Sequence, residues 1–107
     1  MFYISNKSRL STDGLYRIKT ITIEQARHLV LHEEKTFISM VNNQISADIL
    51  TLLLETTVTV DTSPRDILVG DSILVFRAGR RMPEGQLLLI DDIGNSGYKL
   101  QLIKRIE

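Results

Sequence analysis

The sequence predicts an α/β (α+β) domain: a single mixed β-sheet of about five to six strands packed by two main helices. Three observations carry that expectation. The chain has 107 residues, 43% hydrophobic and 24% charged, which is the size and composition of one ordinary globular domain and leaves no room for a second. Short β-branched and aromatic runs alternate with turn residues along most of its length. Two segments carry helical spacing behind capping residues instead.

Phe2, Tyr3 and Ile4 form a β-prone run ended by Ser5, Asn6 and Lys7, and Gly14 introduces an alternating run from Leu15 to Ile21. These are two strands, close enough along the chain to pair as a hairpin. Thr22 followed by Gln25 has the spacing of a capping box, and Ile23, Ala26 and Val30 recur at helical intervals to about His32. Thr36 to Val41 reads as a third, mostly buried strand. Asn42 and Asn43 then cap a second helix, whose Ile45, Ile49, Leu52 and Leu53 form one apolar stripe from Gln44 to about Glu55. Thr57 to Val60 is a short alternating strand, and Pro64 interrupts regular structure after it. Gly70 and Asp71 mark a turn into a central strand, Ser72 to Arg77. Gly79 to Gly85 is a polar loop, Gln86 to Ile90 a leucine-rich stretch, Gly94 to Gly97 a turn, and Tyr98 to Ile106 a final strand.

Charge and apolar content exclude several classes of function. Thirteen Lys plus Arg balance thirteen Asp plus Glu. That balance argues against affinity for duplex nucleic acid gained by blanketing it with positive charge, and leaves local basic pockets open. With no cysteine the core stands without disulfides, as in a reducing compartment. The opening residues lack the basic start of a signal peptide, and the longest apolar run falls far short of the ~20 residues that cross a bilayer. A cytoplasmic protein with no membrane partner is expected.

Four groups of polar residues have the composition of sites. His28 and His32 lie four apart near Glu33 and Glu34, which puts two imidazoles on one helical face; two ligands do not make a metal site, and a solvated helix face is the simpler reading. Asp91 and Asp92 are adjacent before a glycine turn, so on a strand they point to opposite faces and suit a turn or cap. Arg77, Arg80 and Arg81, with Glu84, gather around a proline and glycine loop after an apolar strand. Their guanidinium forks match phosphate oxygens, although an Arg to Glu ion pair in solvent explains them as simply. The helix start at Asn42 to Ser46 offers backbone amides, side-chain amides and a hydroxyl to an anion, or else plain capping.

Taken together, these segments resemble a family. Tyr3-Ile-Ser-Asn6, the stretch Phe37 to Leu50, Leu53 and Leu54, Val58 and Val60, Gly70-Asp71, Leu74-Val75-Phe76 and Arg81-Met-Pro-Glu-Gly85 line up on the viral ring-nuclease family, small proteins of archaeal viruses, phages and mobile elements. The most specific element is Arg-x-Pro-Glu-Gly at its distance from the Ser-Ala helix. The resemblance implies a homodimer, in the host cytoplasm, that binds cyclic tetra-adenylate, the second messenger of type III CRISPR defence, across its two-fold axis. It further implies cleavage of the ring without a metal or other cofactor: a ribose 2'-hydroxyl attacks its own phosphate and a histidine protonates the departing 5'-oxygen.

The resemblance also assigns residues. Asn43, Arg81 and Glu84 stand at the catalytic positions, and Asn6, Ser8, Ser39, Ser46, Thr62 and Arg77 form the ligand-binding set. Glu84 would orient Arg81 or hold a ribose hydroxyl, Ser46 and the helix amides would face a phosphate, and Asn6 or Ser8 would contact an adenosine. Asn43 replaces the family histidine and has no titratable proton, so ring cleavage is expected to be impaired or lost. Asp61-Thr62 replaces an Asn-Arg pair, with Arg65 three residues beyond, and Arg77 replaces a glutamine. The alternative is a dimeric interaction or accessory factor with no nucleotide ligand, meeting a partner through an exposed strand edge or through Gln86 to Ile90.

Overall fold

The structure is a computed structural model and describes residues 1–7, 13–33, 36–63, 65–77 and 98–107. Its strands are β1 (Phe2–Ser5), β2 (Tyr16–Ile21), β3 (Ile38–Ser39), β4 (Ser72–Arg77) and β5 (Lys99–Arg105), and its α-helices are α1 (Ile23–His28) and α2 (Gln44–Leu54). All four residues of β1 and four successive residues of β4 are buried, so these strands are covered on both faces and must lie inside the sheet. Every residue of β2 keeps some exposure, as suits an edge. The observed order is β2-β5-β4-β1-β3.

The sheet is mixed, as expected. β1 runs parallel to β3 and β4, while β5 is antiparallel to both β4 and β2. One face, carrying Phe2, Ile4, Leu74, Phe76 and Leu100, packs on α1 through Ala26, on the turn after it through Val30, and on α2 through Ile49, Leu50, Leu53 and Leu54; Leu52, expected in the apolar stripe, is instead 38% exposed. The other face gathers Tyr3, Ile73, Val75 and Ile103 with Met40 and Ile67.

The helices begin where the caps predict. Gln25 N–H donates to Thr22 Oγ1 at 3.1 Å and Thr22 N–H to Gln25 Oε1 at 2.9 Å, which closes the capping box of α1. Asn43 caps α2: its side-chain oxygen accepts from Ser46 N–H at 2.8 Å. At the far end Glu55 turns left-handed, with φ 56°, and Arg27 Nε reaches across from α1 to the Leu53 carbonyl at 2.7 Å.

Four further expectations need correction. β1 and β2 form no hairpin; β1, apolar on both faces, takes the interior, and β2, carrying Arg17 and Lys19, pairs with β5 at the edge. The first helix does not continue as an α-helix to His32, because Leu29–Glu33 forms a π-helical turn, a wider ring that apolar spacing cannot distinguish. The third strand has two residues rather than six, plus one isolated bridge at Val41. Thr57 to Val60 is no strand; it contributes only that bridge, Val41 to Val60, followed by Asp61 N–H donating to the Val41 carbonyl at 2.9 Å. The expected loop, leucine-rich stretch and turn within 79–97 lie outside the described residues.

Candidate functional site

Because β1, β3 and β4 are parallel, their carboxyl ends share one edge of the sheet. β1 has a parallel neighbour on each side, β4 and β3, so the segments that follow the three strands start side by side at this edge. Four segments arrive there: Asn6 and Lys7 after β1, Asn42 to Ser46 after β3, Asp61 and Thr62 after the Val60 bridge, and Arg77 at the end of β4. β5 is antiparallel, so it brings its first residue, Lys99, to the same edge.

On the helix side of this edge, side-chain amides and a hydroxyl form one cluster. Asn6 Nδ2 donates to Asn42 Oδ1 at 2.7 Å and to Ser46 Oγ at 3.4 Å, while Asn42 N–H donates to Asn6 Oδ1 at 3.1 Å. Asn43 Nδ2 donates to the same Asn42 oxygen at 3.0 Å. Among the described residues Asn42 Nδ2 makes no hydrogen bond, so it is a donor available to a ligand beside the N-terminus of α2. That helix end favours an anion through its orphan N–H groups and its dipole. Beneath the cluster, buried Ser5 secures the turn: its hydroxyl donates to the Lys7 carbonyl at 2.9 Å and accepts from Lys7 N–H at 3.1 Å.

The cations approach from the other side of the sheet. Arg77 follows Ile73 and Val75 in alternation, and Lys99 precedes Gln101 and Ile103, so both stand on the face opposite α1 and α2. Both are exposed, and neither joins an ion pair among the described residues.

The other assigned residues divide. Asn6, Asn43, Ser46, Thr62 and Arg77 reach the common edge. Ser39 is nearly buried, and its hydroxyl is committed to the backbone: it donates to the Thr59 carbonyl and accepts from Val41 N–H at 3.2 Å. Thr62 is exposed beside Asp61, whose carboxylate is paired with Arg65 at 3.3 Å. Ser63 N–H, donating to Asp61 at 2.9 Å, and then the Ser63 hydroxyl and Arg65 hold the Asp61 carboxyl below its ordinary range. Arg65 thus cancels the negative charge that Asp61 adds at this edge. Ser8, Arg80, Arg81, Glu84, Asp91 and Asp92 lie outside the described residues.

The His28 and His32 rings lie with centroids 5.0 Å apart, tilted 37° to one another, and His28 Nε2 lies 3.6 Å from Glu33 on an exposed surface. Among the described residues no group of three or more potential ligands is placed to hold a metal ion, and no helix is long and apolar enough to cross a membrane.

Sequence reading placed Asn42 in a candidate anion site but missed its union with Asn6, and it missed Lys99 altogether. Asn42 was legible as a cap, but its union with Asn6 spans 36 residues and has no local signal. Lys99 is placed only by the register of β5 on β4, which puts it opposite Arg77.

Comparison with known proteins places this architecture. The family model described as STIV B116-like matches residues 2–100. An uncharacterized protein, ORF117 of Acidianus two-tailed virus, is 28% identical over 93 residues, covering 86% of this chain and 80% of its own length. The solved structure of B116 of Sulfolobus turreted icosahedral virus superposes with a TM-score of 0.82 over 96% of this chain and 97% of that one, at 16% identity, a likeness of fold. With its family match running nearly end to end, the chain belongs to the STIV B116-like family of small viral proteins.

Proposed function

We propose that this protein binds cyclic tetra-adenylate between two copies of the chain, with ring cleavage impaired or absent. The observation that carries this reading is the gathering, at one edge, of an amide and hydroxyl cluster, a helix N-terminus and cations without ion-pair partners among the described residues. A ligand with four phosphates and two-fold symmetry meets the same edge of both copies of a homodimer. Arg77 and Arg81 from each copy then bring four guanidinium groups to four charges. Asn6 and Ser8 serve an adenosine, Ser46 and the first turn of α2 a phosphate, and Glu84 orients Arg81 or holds a ribose hydroxyl. The viral origin of the relatives fits a ligand that is a messenger of host defence.

Cleavage lacks its proton donor. Asn43 stands where the resembling family carries histidine, and its amide is engaged at both ends, accepting from Ser46 N–H and donating to Asn42. An amide gives no proton to a departing 5'-oxygen, and loss of a general acid lowers a rate by about 10² to 10⁴. Asn43→His is expected to raise ring opening by that order in single-turnover chromatography, with di-adenylate as product. The binding reading is tested by gel filtration of the protein mixed with cyclic tetra-adenylate. The ring should travel intact with a dimer and dominate absorbance near 260 nm, since the chain has no tryptophan and three tyrosines. A ring that elutes alone overturns it.

A dimeric accessory factor with no nucleotide ligand is the second reading. The edge of β2, which pairs on one side only among the described residues and where Ile18 is 54% exposed, favours it.

A further inference from the structure

The register of the two central antiparallel strands sets Arg77 directly opposite Lys99. Directly opposed residues on neighbouring strands point to the same face with their β-carbons about 5 Å apart, and two like charges there repel. Among the described residues no carboxylate pairs with either, so the repulsion is uncompensated there. The flanking pairs on this face are Val75 with Gln101 and Ile73 with Ile103, which are uncharged. β1 lies on the other side of β4: Val75 is opposite Ser5, and Lys7 follows Ser5 at the same interval as Arg77 follows Val75. Arg77 and Lys99 thus set two positive charges side by side at the carboxyl edge of a chain whose formal net charge is zero.

We infer that Lys99 is a ligand-binding residue, acting with Arg77 as a two-pronged clamp for one phosphodiester of a polyanion. Two cations side by side that destabilise the empty fold are relieved by a shared anion, so the same pair weakens the free protein and strengthens the complex. This rests on the proposed nucleotide reading for the identity of the ligand, and on the strand register alone for the clamp. The sheet contains its own control. Arg17 and Lys104 are also directly opposed, on β2 and β5, but at the far end of the strands and on the helix side.

The test measures thermal melting and ligand affinity for the full chain and two variants, Lys99→Gln and Lys104→Gln. Removing one member of a like-charged cross-strand pair is expected to raise the melting temperature of either variant by roughly 1 to 6 °C. Affinity for cyclic tetra-adenylate should fall about tenfold or more in Lys99→Gln and stay unchanged in Lys104→Gln. Inorganic tripolyphosphate is the second probe, and it should stabilise the parent chain more than Lys99→Gln. If the parent binds the cyclic ring and Lys99→Gln binds it equally well, the clamp is refuted and the nucleotide reading survives. If the ring does not bind but tripolyphosphate stabilises the parent in a Lys99-dependent way, the clamp stands and the nucleotide reading falls. No response to either anion overturns both.

Discussion

The two ends of the sheet use their polar residues in opposite ways. At the amino end of the parallel strands the strong polar groups hold the chain together. Buried Asp71 accepts from the Met1 ammonium at 2.9 Å and from Leu68 N–H at 2.9 Å. Arg105 donates to the carbonyls of Ile67, Asp13 and Glu107, and its guanidinium lies over the Tyr16 ring. At the carboxyl end, amides bond mainly to one another and Arg77 and Lys99 have no ion-pair partner among the described residues. The first pattern fastens a fold, and the second leaves hydrogen-bonding and charge capacity for something else.

Substitutions sharpen this contrast in order of expected effect. Asp71→Ala leaves the Leu68 N–H without its acceptor and the half-exposed Met1 ammonium without its ion pair, and should cost about 1 to 3 kcal/mol in urea unfolding while leaving affinity for anions unchanged. A loss of anion affinity as large as the loss of stability would erase the distinction between the two ends. Asn43→Ala removes the cap of α2 and should cost about 1 kcal/mol, whereas Asn43→Gly should cost only a few tenths. The smallest effect belongs to Asp61. Its carboxyl is held below the ordinary range in the folded chain, so its contribution is present above that range and is lost as pH falls through the lowered value. Asp61→Asn should therefore flatten the acid limb of the stability curve slightly; an unchanged acid limb would show that the Ser63 and Arg65 contacts carry no net stability.

Much of the frame was legible in the sequence because its signals are local. Asn42 and Asn43 ahead of an apolar stripe marked α2, with Asn43 the cap and Ile49 and Leu53 in the core although Leu52 faces out, and Thr22 with Gln25 marked the start of α1. Ser72 to Arg77 read as a central strand because an unbroken apolar run suits burial on both faces, which is how β4 sits. The failures were non-local. Alternation in Leu15 to Ile21 tells which side chains share a face but not which strand lies alongside, so nothing in β2 announced β5 as its neighbour. The π-helical turn escaped because one extra residue in a single turn disturbs the apolar spacing too little to detect. The same limit applied to the site. Asn43, Ser46 and Arg77 stood out by type and local setting, whereas the Asn6 to Asn42 bonds and the Arg77 to Lys99 juxtaposition exist only once the parallel and antiparallel registers are set.

Whether the carboxyl edge holds a cyclic polyanion is decided by calorimetric titration of the purified chain with cyclic tetra-adenylate. Binding should saturate at one ring per two chains, with affinity that falls as salt rises and collapses in Arg77→Ala. A flat titration at high micromolar ligand, or binding that ignores the loss of Arg77, would contradict it.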